Sequence, residues 1–168
     1  MKFTQIAALC ALASTAAFTQ AAVWQDFSLS ALYGENYKAP FAAGNEKIDQ
    51  STITAEYAAG LKYGDIFAFA DRTNNDFGNE TYFEVAPRLS LGAVTGQKLE
   101  LGPIKDVLIA TTWEGNSGAS DFNNYLYGIG FALNIPYTSY ANINFYKADN
   151  DLQKDDYQMT ITYAVPFK

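Results

Sequence analysis

From Thr81 to Leu91 the chain reads TYFEVAPRLSL, and its side chains separate into two sets at a strict period of two. Phe83, Val85, Pro87, Leu89 and Leu91 take one face, while Tyr82, Glu84, Ala86, Arg88 and Ser90 take the other. Successive side chains of a strand point to opposite faces, and about ten residues is the length that crosses a bilayer on a tilted path. Alternation of this kind predicts eight strands of similar length, at approximately 24–33, 52–62, 65–72, 80–91, 106–114, 124–133, 137–147 and 156–167. In the second, Ile53, Ala55, Tyr57, Ala59 and Leu61 oppose Thr52, Thr54, Glu56, Ala58, Gly60 and Lys62. In the sixth, Tyr125, Tyr127, Ile129, Phe131 and Leu133 oppose Asn124, Gly128, Gly130 and Ala132.

A soluble sandwich and a membrane barrel both use half-apolar strands, so the polar faces decide between them. A soluble sandwich turns faces rich in Lys and Glu to water. Here the polar faces are mostly Ser, Thr, Asn, Gly and Ala, and the apolar faces carry Tyr at one or both ends. That is the pattern of a lipid-facing surface with interfacial aromatic belts around a wet interior. The fold class predicted is all-β: an antiparallel, up-and-down transmembrane β-barrel. The tight turns at Tyr63-Gly64 and 134–136 fit the periplasmic side. The longer polar connectors at 34–51, 73–79, 115–123 and 148–155 fit the extracellular side. The connector 92–105 is long for its side, and Leu99-Glu100-Leu101 within it suggests a short hairpin extension.

Residues 1–21 read as a secretory signal peptide, with Lys2, an apolar run from Ile6 to Phe18 too short to span a membrane, and a small-residue cleavage site near Ala21. Residues 22–168 then form one barrel domain. Cys10, the single cysteine, falls in the leader and follows Leu9, so neither an acyl anchor nor a disulfide is expected. Beyond the leader ten basic residues face eighteen acidic ones, an acidity that excludes a nucleic-acid surface. With no histidine there is no imidazole base or common metal set, and no enzyme or cofactor is expected.

Several runs are familiar. Tyr82 to Ser90 followed by Leu99 to Asp106, LELGPIKD, resembles the E-x-x-P-R-x-S … L-x-x-G-P-x-K signature of the Tsx family, and within it the OmpK-like members. Phe67-Ala68-Phe69-Ala70-Asp71, Tyr127-Gly128-Ile129-Gly130 and Tyr163-Ala164-Val165-Pro166-Phe167 are similar to further islands of that family. The resemblance implies a twelve-stranded outer-membrane barrel that passes nucleosides by passive diffusion and serves some phages or colicins as a receptor. Family members continue past the Y-x-V-P stretch, so the chain is expected to supply eight of those strands as an open sheet, with the first and eighth unpaired to each other. A closed eight-stranded structural or adhesive barrel without a channel, and a secreted lectin-like sandwich, are the alternatives.

A nucleoside path needs flat faces for the base and hydrogen-bonding groups for the sugar. Phe67, Phe69 and Asp71 share one parity, which the sequence alone leaves open between lumen and lipid; a carboxylate at depth in lipid is costly, which favours the lumen. Glu56, Glu84 and Arg88 stand on polar faces and are expected to form either a charged constriction or an ion-pair network that braces the wall. Tyr140, Asn142, Asn144 and Tyr146 offer phenols and amides to a sugar, or make ordinary wetted wall.

Overall fold

The computed structural model describes residues 22–38, 47–118 and 121–167; the expected leader lies outside them. Eight strands form one sheet in chain order: β1 Ala22–Lys38, β2 Lys47–Leu61, β3 Gly64–Asn75, β4 Gly78–Ser90, β5 Ile104–Ser117, β6 Phe122–Leu133, β7 Tyr140–Asp149 and β8 Asp156–Ala164. Every neighbouring pair is antiparallel. Among the described residues β1 pairs only with β2 and β8 only with β7, so the sheet is an open, curled half-barrel rather than a closed eight-stranded one.

The strands outrun their expected ends where pairing continues past the apolar stretch. β3 and β4 stay in register to Asn75↔Gly78, so the connector expected across 73–79 shrinks to Asp76 and Phe77. β1 continues to Lys38 through a one-residue bulge between Gly34 and Tyr37. Asn36 sits in it at φ 56°, a conformation Asn tolerates, and its N–H donates to Asp49 Oδ1 at 3.2 Å. Strand seven begins at Tyr140 rather than 137, and strand eight ends at Ala164 rather than 167.

Leu91, expected in a strand, instead opens the five-residue helix α1, Leu91–Thr95. Ser90 explains the change, because its Oγ accepts the Ala93 N–H as an N-cap at 2.9 Å and also hydrogen-bonds Asp106. The Gly92 N–H donates to the same carboxylate at 3.1 Å, and Gly96 closes the helix at φ 69°. The expected hairpin extension reduces to one bridge, with Leu101 and Ile104 exchanging N–H···O bonds of 3.0 and 2.9 Å.

Curvature identifies the inner face. Tyr82 of β4 reaches Phe122 of β6, with ring centroids 6.3 Å apart, and Arg88 of β4 reaches Asn144 of β7 at 3.4 Å. Side chains two and three strands apart touch only where the sheet closes toward them. On that concave face Leu108, Ala110 and Thr112 of β5, Leu126 of β6, and Asn144, Tyr146 and Ala148 of β7 are buried. The alternate positions Ile109, Trp113, Tyr125, Tyr127, Ile129 and Phe145 are exposed on the convex side. The concave face mixes Ala, Leu and aromatic rings with amides, hydroxyls and carboxylates, whereas the convex face is aromatic and aliphatic, the surface hydrocarbon requires.

Candidate solute path on the concave face

The ladder registers place all ten expected path residues on one face. Ser28, Glu56, Phe69, Glu84, Glu114 and Asn124 stand opposite one another in a single row across β1 to β6. Directly opposed residues of an antiparallel pair share a face, so Phe69 lies between Glu56 and Glu84 on the concave side. Phe67 pairs with Ala58 and Ala86, and Asp71 with Thr54 and Tyr82, all of the same parity. Asn142, Asn144 and Tyr146 oppose Ala132, Gly130 and Gly128, which extends the face to β7, and Tyr140 begins that strand on the same parity.

Four aromatic rings form a ladder there. Phe67 and Phe69 have centroids 6.0 Å apart, Phe69 and Tyr82 5.7 Å, and Tyr82 and Phe122 6.3 Å, each pair tilted. Such spacing is that of ordinary packed aromatic pairs. Carboxylates flank the rings, each held by neutral donors. Ser28 donates to Glu56 at 2.7 Å, Thr54 to Asp71 at 2.6 Å, the Tyr82 hydroxyl to Glu84 at 2.6 Å, and Asn124 to Glu114 at 3.4 Å. The ion pairs among the described residues are Arg88 with Asp65 and Lys147 with Asp155, so none of these four carboxylates is neutralised by one. Glu84 stands directly opposite Glu114, a pairing of like charges that costs the fold some stability.

Arg88 stands apart from that girdle. Its Nε and Nη2 donate to the two Asp65 oxygens at 2.7 and 2.6 Å, and its Nη1 reaches Asn144 Oδ1 at 3.4 Å. Its partners are Asp65 and Asn144 rather than Glu56 or Glu84. Asn144 and Tyr146 are buried in the same packing, while Tyr140 is exposed and Asn142 leans on Thr162 at 3.5 Å. A Cβ at Gly130 would collide with Asn144 Oδ1, so the glycine makes room for this brace. Tyr82, Phe122 and Glu114 stand on the same face and were not singled out from sequence. Parity is the signal for Tyr82 and Glu114, whereas Phe122 falls in the stretch expected to be a loop.

Residues 22–168 match the family described as nucleoside-specific channel-forming protein, Tsx. A relative named outer membrane protein OmpK, from Vibrio parahaemolyticus, is 29% identical over 153 residues, covering 86% of this chain and 56% of the relative. A second protein of that name, from Vibrio parahaemolyticus serotype O3:K6 strain RIMD 2210633, is 30% identical over 114 residues, covering 62% and 43%. The chain thus spans about half the length of the curated relatives it matches. The family is one of channels and not of enzymes. Because the match runs through all eight strands, the chain belongs to the Tsx family of nucleoside-specific channel-forming proteins, and its place is the Gram-negative outer membrane.

Proposed function

We propose that the concave face is the wall of a channel through which nucleosides diffuse passively, with no chemical step. The observation that carries this reading is the ladder Phe67, Phe69, Tyr82 and Phe122 interleaved with Asp71, Glu56, Glu84 and Glu114. A base stacks on a ring with about 1–3 kcal/mol, whatever its identity, and that is weak enough to release it to the next ring. Ribose hydroxyls donate to the carboxylates, which remain acceptors because no cation occupies them. Arg88, Asn144, Tyr146, Tyr140 and Asn142 shape the wall beside this track.

The test is uptake into liposomes holding the protein, comparing a nucleoside with a hexose, an uncharged solute smaller than it. Faster entry of the larger nucleoside supports the reading, and rates that fall in order of size, the hexose ahead, reject it. The hairpin ends opposite the Lys62-Tyr63 turn, which expose Phe77 and Leu152, are the surface offered to a phage or colicin. Adsorption to cells producing the protein tests that role, and its absence for variants altered at those tips supports it.

A further inference from the structure

On the convex face, at the end of the sheet that carries the β2–β3 turn, lies a groove of about 450 Å³. Leu61, Tyr63, Pro87, Leu89, Ile109 and Thr111 line it. Three local features make it. Gly64, at φ 155°, has no side chain because a Cβ there would strike the carbonyl of Arg88, so the floor between Tyr63 and Leu89 stays open. Pro87 has no N–H, and the β4–β5 ladder passes from Val85↔Trp113 to Arg88↔Ala110 without pairing the residues between. The hydroxyl of Thr111 reaches across that gap and donates to the Pro87 carbonyl at 3.0 Å, so these two polar groups of the wall satisfy each other.

Of the charged residues that line it, Lys62, Asp65 and Arg88, the last two pair with each other and Lys62 has no ion pair among the described residues. The Lys62 ammonium rests 4.9 Å from the centroid of the Tyr63 ring, which holds it over the groove mouth. Asp65 also borders the groove, but its carboxylate points to the concave face, where Arg88 occupies both oxygens. The site therefore presents an apolar slot in the lipid-facing surface with, at its entrance, a cation that no carboxylate of the described residues pairs. We infer that this groove holds one acyl chain of an anionic glycerophospholipid of the periplasmic leaflet, with the phosphate on Lys62 and the chain running along Pro87 toward Thr111. An acyl chain supplies the apolar match and a phosphate the complementary charge.

The test is native mass spectrometry of the full chain folded in detergent, titrated with dioleoyl phosphatidylglycerol or dioleoyl phosphatidylcholine. The wild type is expected to bind its first phosphatidylglycerol about fivefold more tightly than phosphatidylcholine. Lys62→Gln should bring the two lipids to parity. Ile109→Trp, which fills the slot and leaves Lys62 in place, should abolish the first bound lipid of either kind while far-UV circular dichroism stays unchanged. A wild type without preference, or a Lys62→Gln variant that keeps it, overturns the assignment. Should Ile109→Trp fail to fold, Lys62→Gln decides alone.

Discussion

Arg88 is the residue on which the concave wall leans, and replacing it with methionine tests that claim quantitatively. The side chain keeps its length but loses two hydrogen bonds to Asp65, at 2.7 and 2.6 Å, and the longer contact to Asn144. Hydrogen bonds to charged groups contribute about 1.5–3 kcal/mol each, and orphaning one member of a fully buried pair costs about 3–5 kcal/mol. The pair here is not fully buried: the Arg88 side chain is 13% exposed and that of Asp65 30%. Water takes up part of the charge left on Asp65, so Arg88→Met is expected to lower unfolding stability by about 2 kcal/mol. Asp65→Asn on top of Arg88→Met should cost little more, giving a coupling energy above about 1 kcal/mol in the double-mutant cycle. Urea unfolding in micelles, followed by Trp24 and Trp113 fluorescence, reads all four proteins. A single-variant loss under about 0.5 kcal/mol with no coupling would show that the pair is mere surface decoration, and the brace argument would fall.

Phe69→Ala should weaken nucleoside block of ion current about tenfold, because a stacking energy near 1.4 kcal/mol corresponds to that factor, while the urea midpoint moves little. Block unchanged from wild type would take the ring off the path. The pair of substitutions Glu84→Gln and Glu114→Gln should reduce the cation preference of the pore, read as a smaller reversal potential across a potassium chloride gradient. A potential that does not move would mean these carboxylates are silent toward permeating ions. Gly130→Val should destabilise by about 1–3 kcal/mol through its clash with Asn144 Oδ1, measured by the same urea unfolding. Stability equal to wild type would show that the wall has slack at that point.

Much of this was legible in sequence, for a physical reason. Lipid on one side and water on the other force a period of two on every strand, so all eight strands and the inward set Glu56, Glu84 and Arg88 can be read from alternation alone. What alternation lacks is register. Phe67, Phe69 and Asp71 could be assigned a shared face but not a side until pairing set Phe69 beside Glu56 and Glu84. Phe122 meets Tyr82 only because curvature brings β6 toward β4, which no local pattern encodes. The helix after Ser90 was hidden for a different reason: Leu91 continues the alternation of β4, and the cap that ends the strand depends partly on Asp106, sixteen residues away in the chain.

The central claim is that the concave face is wet and solute-lined while the convex face meets lipid. Substituted-cysteine labelling tests it most directly, since Cys10 is the single native cysteine and lies in the expected leader. Phe69→Cys and Ile129→Cys place one thiol on each face, and the reagent is a charged, membrane-impermeant methanethiosulfonate applied to protein in vesicles. Phe69→Cys should label, more slowly when a nucleoside is present, and Ile129→Cys should not. Labelling of Ile129→Cys while Phe69→Cys stays unlabelled with or without nucleoside would contradict the assignment of the two faces.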